Sequence, residues 1–128
     1  MTSNSVRTPT GMSYLDTYGI IHTSYNEGME ETLAEAQASV RAALPLFGGT
    51  RHPVLVDLRA LKSQTRDARS FYGSPEVTRN TTALALLVSS RVSMVIANFF
   101  ISVTKSAVPS RMFTDEAAAV DWLKGYLV

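Results

Sequence analysis

The sequence predicts an α/β fold: a mixed β-sheet of about five strands with four to five helices packed on it. Two continuous apolar runs, residues 53–58 and 82–88, have the length and composition of strands buried on both faces. Apolar residues at helical spacing follow both runs, and a hairpin-like segment precedes them. The predicted order β-β-α-β-α-β-α-β-α implies parallel βαβ units with right-handed crossovers.

The first third of the chain predicts a tail, a hairpin and a helix. Residues 1–11 are polar, so we expect a flexible N-terminal tail and no secretory signal. Residues 12–25 contain two β-forming runs around Tyr18-Gly19, which predicts a hairpin. From about residue 26 to 44, apolar side chains recur every three or four positions and predict an amphipathic helix. Its first turn would contain Glu30 and Glu31, where the helix dipole favours acids.

Capping residues locate the shorter helices. Thr65 is suited to cap a short helix that Gly73 ends, and Ser74-Pro75 is typical of the start of another. Residues 110–113 predict a last short strand, and Thr114 is placed to cap the terminal helix.

The helix predicted at residues 91–103 is apolar around most of its circumference. The stripe that we expect to face the core consists of Val92, Val95, Ile96, Phe99, Phe100 and Val103. A second apolar group, Met94, Ala97 and Ile101, lies on the other side. A helix that is apolar nearly all round is either buried on both sides or contacts a partner. In a chain this small we favour the partner and predict an interface at Met94, Ala97 and Ile101.

Composition argues against several classes of function. The 12 Lys and Arg residues nearly balance the 11 Asp and Glu residues, which argues against a nucleic-acid partner. The absence of cysteine removes disulfides and thiolate chemistry and fits a cytoplasmic location. Residues 83–103 are apolar enough to suggest a membrane span, but Arg91 near their centre would cost at least about 2.5 kcal/mol to insert. We therefore expect no membrane segment.

Three segments carry a more specific pattern. They are the run Val54-Leu55-Val56-Asp57-Leu58-Arg59, residues 83–100, and the ending that contains Phe113-Thr114-Asp115-Glu116-Ala117 and Trp122-Leu123. Together they resemble a bacterial family of uncharacterised small domains related to the STAS domains, whose fold is that of the sporulation anti-sigma-factor antagonists. The resemblance implies a single STAS-like, or SpoIIAA-like, domain at residues 12–128. It also implies a regulatory or protein-binding role without catalytic residues or a cofactor.

The regulatory serine of the antagonists is where this sequence departs from the pattern. In those proteins a phosphorylated serine lies at the start of the helix that follows the central strand. Placed on the pattern from Asp57 without gaps, this sequence has Thr65-Arg66-Asp67-Ala68 at that position. The standard phosphoserine switch is therefore absent. Ser63 and Thr65 are the nearby candidate phosphoacceptors, although helix capping alone accounts for Thr65.

Open α/β sheets bind ligands in the crevice beyond the carboxyl ends of their strands. The polar side chains expected near that edge are Asp57, Arg59, Arg66, Asp67 and Arg69. The arginines beside the helix start would suit an anion, although surface ion pairs give the same pattern. His22 and His52 lack Cys or Glu at ligand spacing, so we expect no metal site.

These observations favour a non-enzymatic protein-interaction or regulatory module. Its partner would be another protein or a second copy of the chain, with a homodimer as the expected assembly. The alternative is a small-molecule or anion-binding domain that uses the crevice. An enzyme is disfavoured because the sequence has neither a Gly-x-Ser-x-Gly elbow nor a glycine-rich phosphate loop.

Overall fold

The structure, a computed structural model, describes residues 4–128. Within this range the strands are β1 (Ser5–Thr8), β2 (Gly11–Leu15), β3 (Ile21–Tyr25), β4 (Met29–Glu31), β5 (His52–Asp57), β6 (Leu61–Gln64), β7 (Thr81–Leu87) and β8 (Ser110–Phe113). The α-helices are α1 (Leu33–Ala43), α2 (Arg66–Tyr72), α3 (Pro75–Thr78), α4 (Arg91–Thr104) and α5 (Glu116–Lys124). A 3₁₀ helix, Leu44–Phe47, continues α1.

Six of the strands form the main sheet, in the spatial order β1-β2-β3-β5-β7-β8. β1, β2 and β3 are antiparallel neighbours, whereas β3, β5, β7 and β8 run parallel. β4 and β6 form a separate two-stranded parallel ribbon. The predicted mixed α/β sheet is confirmed, although the chain forms more strands than the sequence suggested.

The two central strands, β5 and β7, are buried on both faces. Val54, Val56, Leu84 and Leu86 pack against α4 on one face. Leu55, Ala83, Ala85 and Leu87 pack against α5 on the other. α1 covers β1 and β2 on the α4 face, and α2 contacts both α1 and α4. α1, α2, α4 and the short α3 therefore cover one face of the sheet, whereas α5 lies on the opposite face.

The predicted hairpin is present, and Asp16 closes its turn. Oδ1 of Asp16 accepts hydrogen bonds from the amides of Tyr18, Gly19 and Ile20. Gly19 has a φ of 102°, a conformation that glycine adopts without strain. Oδ2 of Asp16 lies 2.8 Å from Nε2 of His22, which ties the turn to β3.

The N-terminal tail predicted at residues 1–11 is wrong for most of its length. Ser5–Thr8 forms β1 and pairs with β2, so that Val6 lies opposite Ser13 and Arg7 opposite Met12. Backbone pairing at a sheet edge requires no apolar run, which is why a polar sequence forms this strand. Residues 1–3 lie outside the described part of the chain.

The helix predicted from residue 26 begins only at Leu33. Gly28, with a φ of 74°, turns the chain, and Met29–Glu31 then forms β4 beside β6. Glu31 is therefore a buried strand residue and not an exposed acid in the first turn of a helix. Acidic residues at this position are compatible both with the first turn of a helix and with a short polar strand. Pairing with β6 selects the strand.

The predicted cap of α2 is confirmed, and that of α5 is wrong by one residue. Ser74 occupies the N-cap position of α3, but its side chain makes no capping hydrogen bond. Oγ1 of Thr65 accepts from the amide of Ala68, and Ser74 precedes Pro75 at the start of α3. α5 is capped by Asp115, whose Oδ2 accepts from the amide of Ala118 at 3.0 Å, and not by Thr114.

None of the helices in residues 4–128 combines the length and the apolar content that crossing a membrane requires.

α4 is rotated about its own axis by about a quarter turn from the predicted orientation. Ser93, Ile96, Ala97, Phe100 and Thr104 face the core, whereas Val92, Val95 and Phe99 are exposed. Ala97 is wholly buried and cannot belong to the predicted interface, while Met94 is 40% exposed. Ser93 and Thr104 can be buried because their hydroxyls form hydrogen bonds to nearby backbone groups. Oγ of Ser93 accepts hydrogen bonds from the amides of Ser89 and Ser90, and Oγ1 of Thr104 donates to the Phe100 carbonyl.

We predict that Gly73→Ala destabilises the fold by about 1–3 kcal/mol, the range for overpacking. A Cβ at Gly73 would lie 2.3 Å from the carbonyl oxygen of Val103 in α4, and backbone at that position has little room to move. Gly125→Ala is the matched control, because its Cβ would meet atoms at ordinary contact distance. Urea unfolding measures both variants, and equal stabilities would contradict the close approach of Gly73 to α4.

Candidate functional site

Asp57 is the last residue of β5 and lines a pocket beside α5. This pocket has a volume of about 80 Å³ and lies over strand residues of β2, β3 and β5, not beyond their ends; it is lined by Tyr14, His22, Thr23, Ser24, Leu55, Asp57 and Glu116. Nε and Nη2 of Arg59 donate to the two carboxylate oxygens of Asp57 at 2.9 and 2.8 Å. Nη2 also lies 3.8 Å from Oε1 of Glu116. The guanidinium is thus paired with carboxylates of the protein itself.

The other three residues of the predicted anion site lie on α2. Asp67 accepts from the amide of Ala68 at the helix start. The guanidinium of Arg69 lies 4.3 Å from the ring centroid of Phe99 in α4. Because α4 and α5 cover opposite faces of the sheet, Arg69 is directed away from the pair of Arg59 with Glu116 in α5. The contact of Arg69 with Phe99 therefore separates Arg69 from the pair of Asp57 and Arg59, and the anion site stays a prediction.

Of the candidate phosphoacceptors, Thr65 has a clear structural role. Its hydroxyl donates to Oδ1 of Asp67 and accepts from the amide of Ala68, so both hydrogen-bonding functions serve the start of α2. The hydrogen bond from Thr65 lowers the pKa of the Asp67 carboxyl, which keeps a negative charge beside the hydroxyl. A phosphate on Thr65 would be repelled by the negative charge of Asp67. Ser63 is exposed in β6, and its phosphorylation stays a prediction.

We predict that Thr65→Ala lowers the free energy of unfolding by about 1 kcal/mol, the usual contribution of a helix cap. Thr65→Ser keeps the hydroxyl and is the matched control. Urea unfolding of the two variants tests the role, and a Thr65→Ala protein as stable as the parent would show that the cap is dispensable.

The exposed apolar residues of α4 form the most prominent surface feature. Val92, Val95 and Phe99, called here the α4 outer row, are 54%, 47% and 47% exposed. Their spacing of three and four residues places them side by side on the helix. Apolar residues scattered singly over a surface need no explanation, whereas a contiguous row on one helix marks a candidate contact surface.

Basic side chains border the α4 outer row. Arg69 stacks on the ring of Phe99, and exposed Arg91 and Lys105 lie at the two ends of α4. Residues 91–114 contain neither aspartate nor glutamate. The surface thus combines an apolar centre with a positively charged rim. The sequence showed that α4 has two apolar sides but did not show which of them packs against the core.

A buried carboxylate that the sequence did not reveal lies between β4 and α2. Glu31 is 1% exposed, and its carboxylate accepts hydrogen bonds from Nε2 of Gln64 at 2.9 Å and from the hydroxyl of Tyr72 at 2.8 Å. The hydroxyl of Tyr25 donates to it at 3.3 Å. Burial raises the pKa of Glu31 above its ordinary value of 4.5, although the three donors oppose the shift. This network holds the β4–β6 ribbon against β3 and α2.

The raised pKa of Glu31 predicts a pH dependence of stability. The native state binds this proton more tightly than the unfolded chain, so the stabilisation is fully present below about pH 4.5 and is lost as pH rises through the native pKa. In the parent, the free energy of unfolding should fall as pH rises over this range. In Glu31→Gln this fall should be absent. Glu30→Gln, at the exposed neighbouring residue, is the control. Urea unfolding at a series of pH values measures this, and parallel profiles for Glu31→Gln and the parent would refute it.

Both imidazoles take part in structural hydrogen bonds. His22 contacts Asp16 of the hairpin turn, and Nδ1 of His52 lies 2.7 Å from the carbonyl oxygen of Gly19. In the part of the chain that the structure describes, no group of three or more His, Asp or Glu side chains is arranged to hold a metal ion.

The fold belongs to a known class of protein. It resembles the crystal structure of an uncharacterised DUF3478-family protein with a SpoIIAA-like fold from Shewanella loihica PV-4, with a TM-score of 0.59 and 15% identity over 96% of this chain and 98% of that one. The chain thus has a STAS-like, or SpoIIAA-like, fold, as the sequence predicted. More specifically, residues 14–127 match the family described as "Domain of unknown function (DUF7793)", and the chain belongs to that family.

A second solved structure has a closer sequence. It is a protein of unknown function from Arthrobacter sp. FB24, 34% identical over 92% of this chain and 95% of that one, with a TM-score of 0.36. Among curated proteins, none matches the sequence.

Proposed function

We propose that this STAS-like domain is a non-enzymatic regulatory module that binds a protein partner through the α4 outer row. The observation that carries the proposal is the half-exposed state of Val92, Val95 and Phe99 on one helix. Aromatic side chains that enter a partner's pocket contribute most to binding, so Phe99 is the expected anchor. The absence of cysteine suits a reducing compartment, and we place this function in the cytoplasm.

The charge around the row defines the chemistry of the partner. Arg69, Arg91 and Lys105 border an apolar centre, so a partner with an apolar patch and an acidic rim would be complementary. The homodimer expected from the sequence is less well supported. Two α4 helices packed antiparallel would bring Arg91 of each chain towards Lys105 of the other, and parallel packing would bring Arg91 towards Arg91. Both arrangements bring like charges together.

The experiment uses the full chain as bait in a lysate of the source organism. We expect the parent to capture a protein that Val95→Asp does not capture, because the new charge would be buried in the contact. Tyr18→Asp is the matched control, since Tyr18 is 55% exposed in the hairpin turn and its ring contacts Lys124 of α5, on the sheet face opposite to α4. The captured protein is then purified, and its binding to the bait should weaken with salt.

Two outcomes would overturn the proposal. If Val95→Asp and the parent bind the purified partner equally well, the α4 outer row is not the contact surface. If light scattering shows that the parent alone is a dimer and that Val95→Asp makes it a monomer, the row is occupied by a second copy and not by an acidic partner.

A further inference from the structure

A cavity lies inside the helical layer, on the sheet face opposite to α5. It has a volume of about 90 Å³ and lies between α1 and α4. Most of its lining is apolar and includes Ile21, Ala43, Val54, Val56, Leu84 and Phe100. None of these residues belongs to the α4 outer row, so the cavity is separate from the surface proposed to bind a protein partner.

The spacing of the helices creates this cavity. α1 packs mainly on β1 and β2, while α4 packs at the other side of the sheet towards β8. β3 and β5 lie between the two helices, and their side chains on this face form the cavity floor. Leu44, at the end of α1, lines the cavity and is 46% exposed, so a small molecule can enter here.

The charge in the lining is neutralised within the protein. Among the described residues that line the cavity, Glu76 alone is charged. Nε and Nη2 of Arg41 donate to its two carboxylate oxygens at 2.9 and 3.1 Å. Because the carboxylate and the guanidinium are paired with each other, neither is free to bind an ion. A buried charge without a partner is costly, so this lining favours a neutral molecule.

Most hydroxyl groups in the lining donate their hydrogen to acceptors of the protein. Tyr25 and Tyr72 donate to the buried carboxylate of Glu31. Three threonines each donate to the backbone carbonyl four residues earlier, namely Thr78, Thr81 and Thr104. These five hydroxyl groups therefore have no hydrogen left for a ligand.

The hydroxyl pair of Ser13 and Thr23 differs, because it has one hydrogen to spare. The two oxygen atoms lie 2.8 Å apart, so one hydroxyl donates to the other. The accepting hydroxyl keeps its own hydrogen, for which residues 4–128 supply no further hydrogen bond. A similar pair, Thr10 with Ser39, lies between the start of β2 and α1. An unused buried donor favours a ligand that carries an acceptor.

The strand register places the donor of Ser13 and Thr23 beside the apolar floor. Thr23 lies opposite Ser13 on β2 and opposite Val56 on β5, so the three side chains form one row on the same face. Ile21 and Val54 form the next row. Neighbouring strands are about 4.8 Å apart, so one molecule of about five non-hydrogen atoms can contact both the donor and Val56.

We propose that the cavity binds a small neutral molecule with an apolar body and one acceptor oxygen, such as a short ketone, whose oxygen accepts the spare hydrogen of Ser13 and Thr23. The apolar body lies over Val54 and Val56, towards Phe100. This inference is independent of the function proposed for the α4 outer row.

The volume of the cavity sets the size of the probe. An apolar cavity of about 150 Å³ accommodates benzene, so a cavity of about 90 Å³ encloses on the order of four carbons. 2-Butanone has four carbons and one carbonyl oxygen and is therefore the probe.

The test is a titration of the full chain with 2-butanone, followed by NMR of the methyl groups. We expect 2-butanone at millimolar concentration to shift the methyl signals of Ile21, Val54 and Val56 and to show nuclear Overhauser contacts with them. Xenon, which enters apolar cavities without hydrogen bonds, should shift the same signals. If neither probe reaches these methyl groups, the cavity does not take an apolar molecule and the proposal fails.

Charged analogues test the preference for a neutral ligand. Butyrate and butylammonium have four carbons, as 2-butanone does, and each should bind at least about tenfold more weakly, because the cavity offers no free partner for a charge. Binding of either ion as tight as that of 2-butanone would contradict this preference.

A double variant tests the donor. Ser13→Ala combined with Thr23→Val removes both hydroxyls together, which leaves no unpaired polar group and is compatible with folding. It should weaken 2-butanone binding about three- to tenfold, the effect of one neutral hydrogen bond, and leave xenon binding nearly unchanged. Thr78→Val is the matched control, since its hydroxyl already donates to the Ser74 carbonyl.

Equal affinities of the parent and the double variant for 2-butanone would overturn the assigned donor. Should the double variant fail to fold, the nuclear Overhauser contacts in the parent decide the question. The proposal requires contacts of 2-butanone with the methyl groups of both Thr23 and Val56, and contacts with Val56 but not with Thr23 would refute it.

Discussion

The pairing of β5 with β7 is the constraint on which the rest of the structure depends. Both strands are apolar on both faces, so each face must be covered, and their alternating side chains define two separate cores. Leu55 and Ala85 require α5, while Val56 and Leu86 require the layer that contains α4. The parallel arrangement also requires a crossover between the strands, and α2 and α3 lie in that crossover. The helical layer opposite to α5 is thus set by the central strands.

The parts of the fold that were predictable are those in which local pattern and tertiary role agree. Apolar runs and residue types that few other structures satisfy predict β5, β7, the cap at Thr65 and the helix start at Ser74-Pro75. β1, β4 and β6 were missed for the opposite reason. They are short and polar, and a strand such as Ser5–Thr8 exists only because a neighbour offers it a ladder of hydrogen bonds. Glu31 is the clearest example of what local sequence cannot predict, because its hydrogen-bond partners Tyr25, Gln64 and Tyr72 come from three separate segments.

Of the predicted site, the sequence could place only the neighbouring pair of Asp57 and Arg59. Asp57 is the last residue of β5, and Arg59 two residues later can reach it within the same turn. Arg69 could not be placed from the sequence, because β6 and α2 carry it to the other face of the sheet. For α4, hydropathy favours Val92, Val95 and Phe99 as core residues. The structure instead buries Ser93, Ala97 and Thr104, since small side chains allow close approach to the sheet and their hydroxyls bond locally.

α4 connects the core with the proposed contact surface. Phe100 is buried in the core and its ring packs against Tyr72 of α2, while its neighbour Phe99 belongs to the outer row and carries Arg69 of α2 on its ring. Both aromatic contacts therefore join α2 to α4. Packed interiors respond to strain by displacing whole elements more readily than by local compression. A partner that displaced α4 on binding the outer row would therefore also change the contact of Phe100 with Tyr72, whose hydroxyl donates to the buried carboxylate of Glu31.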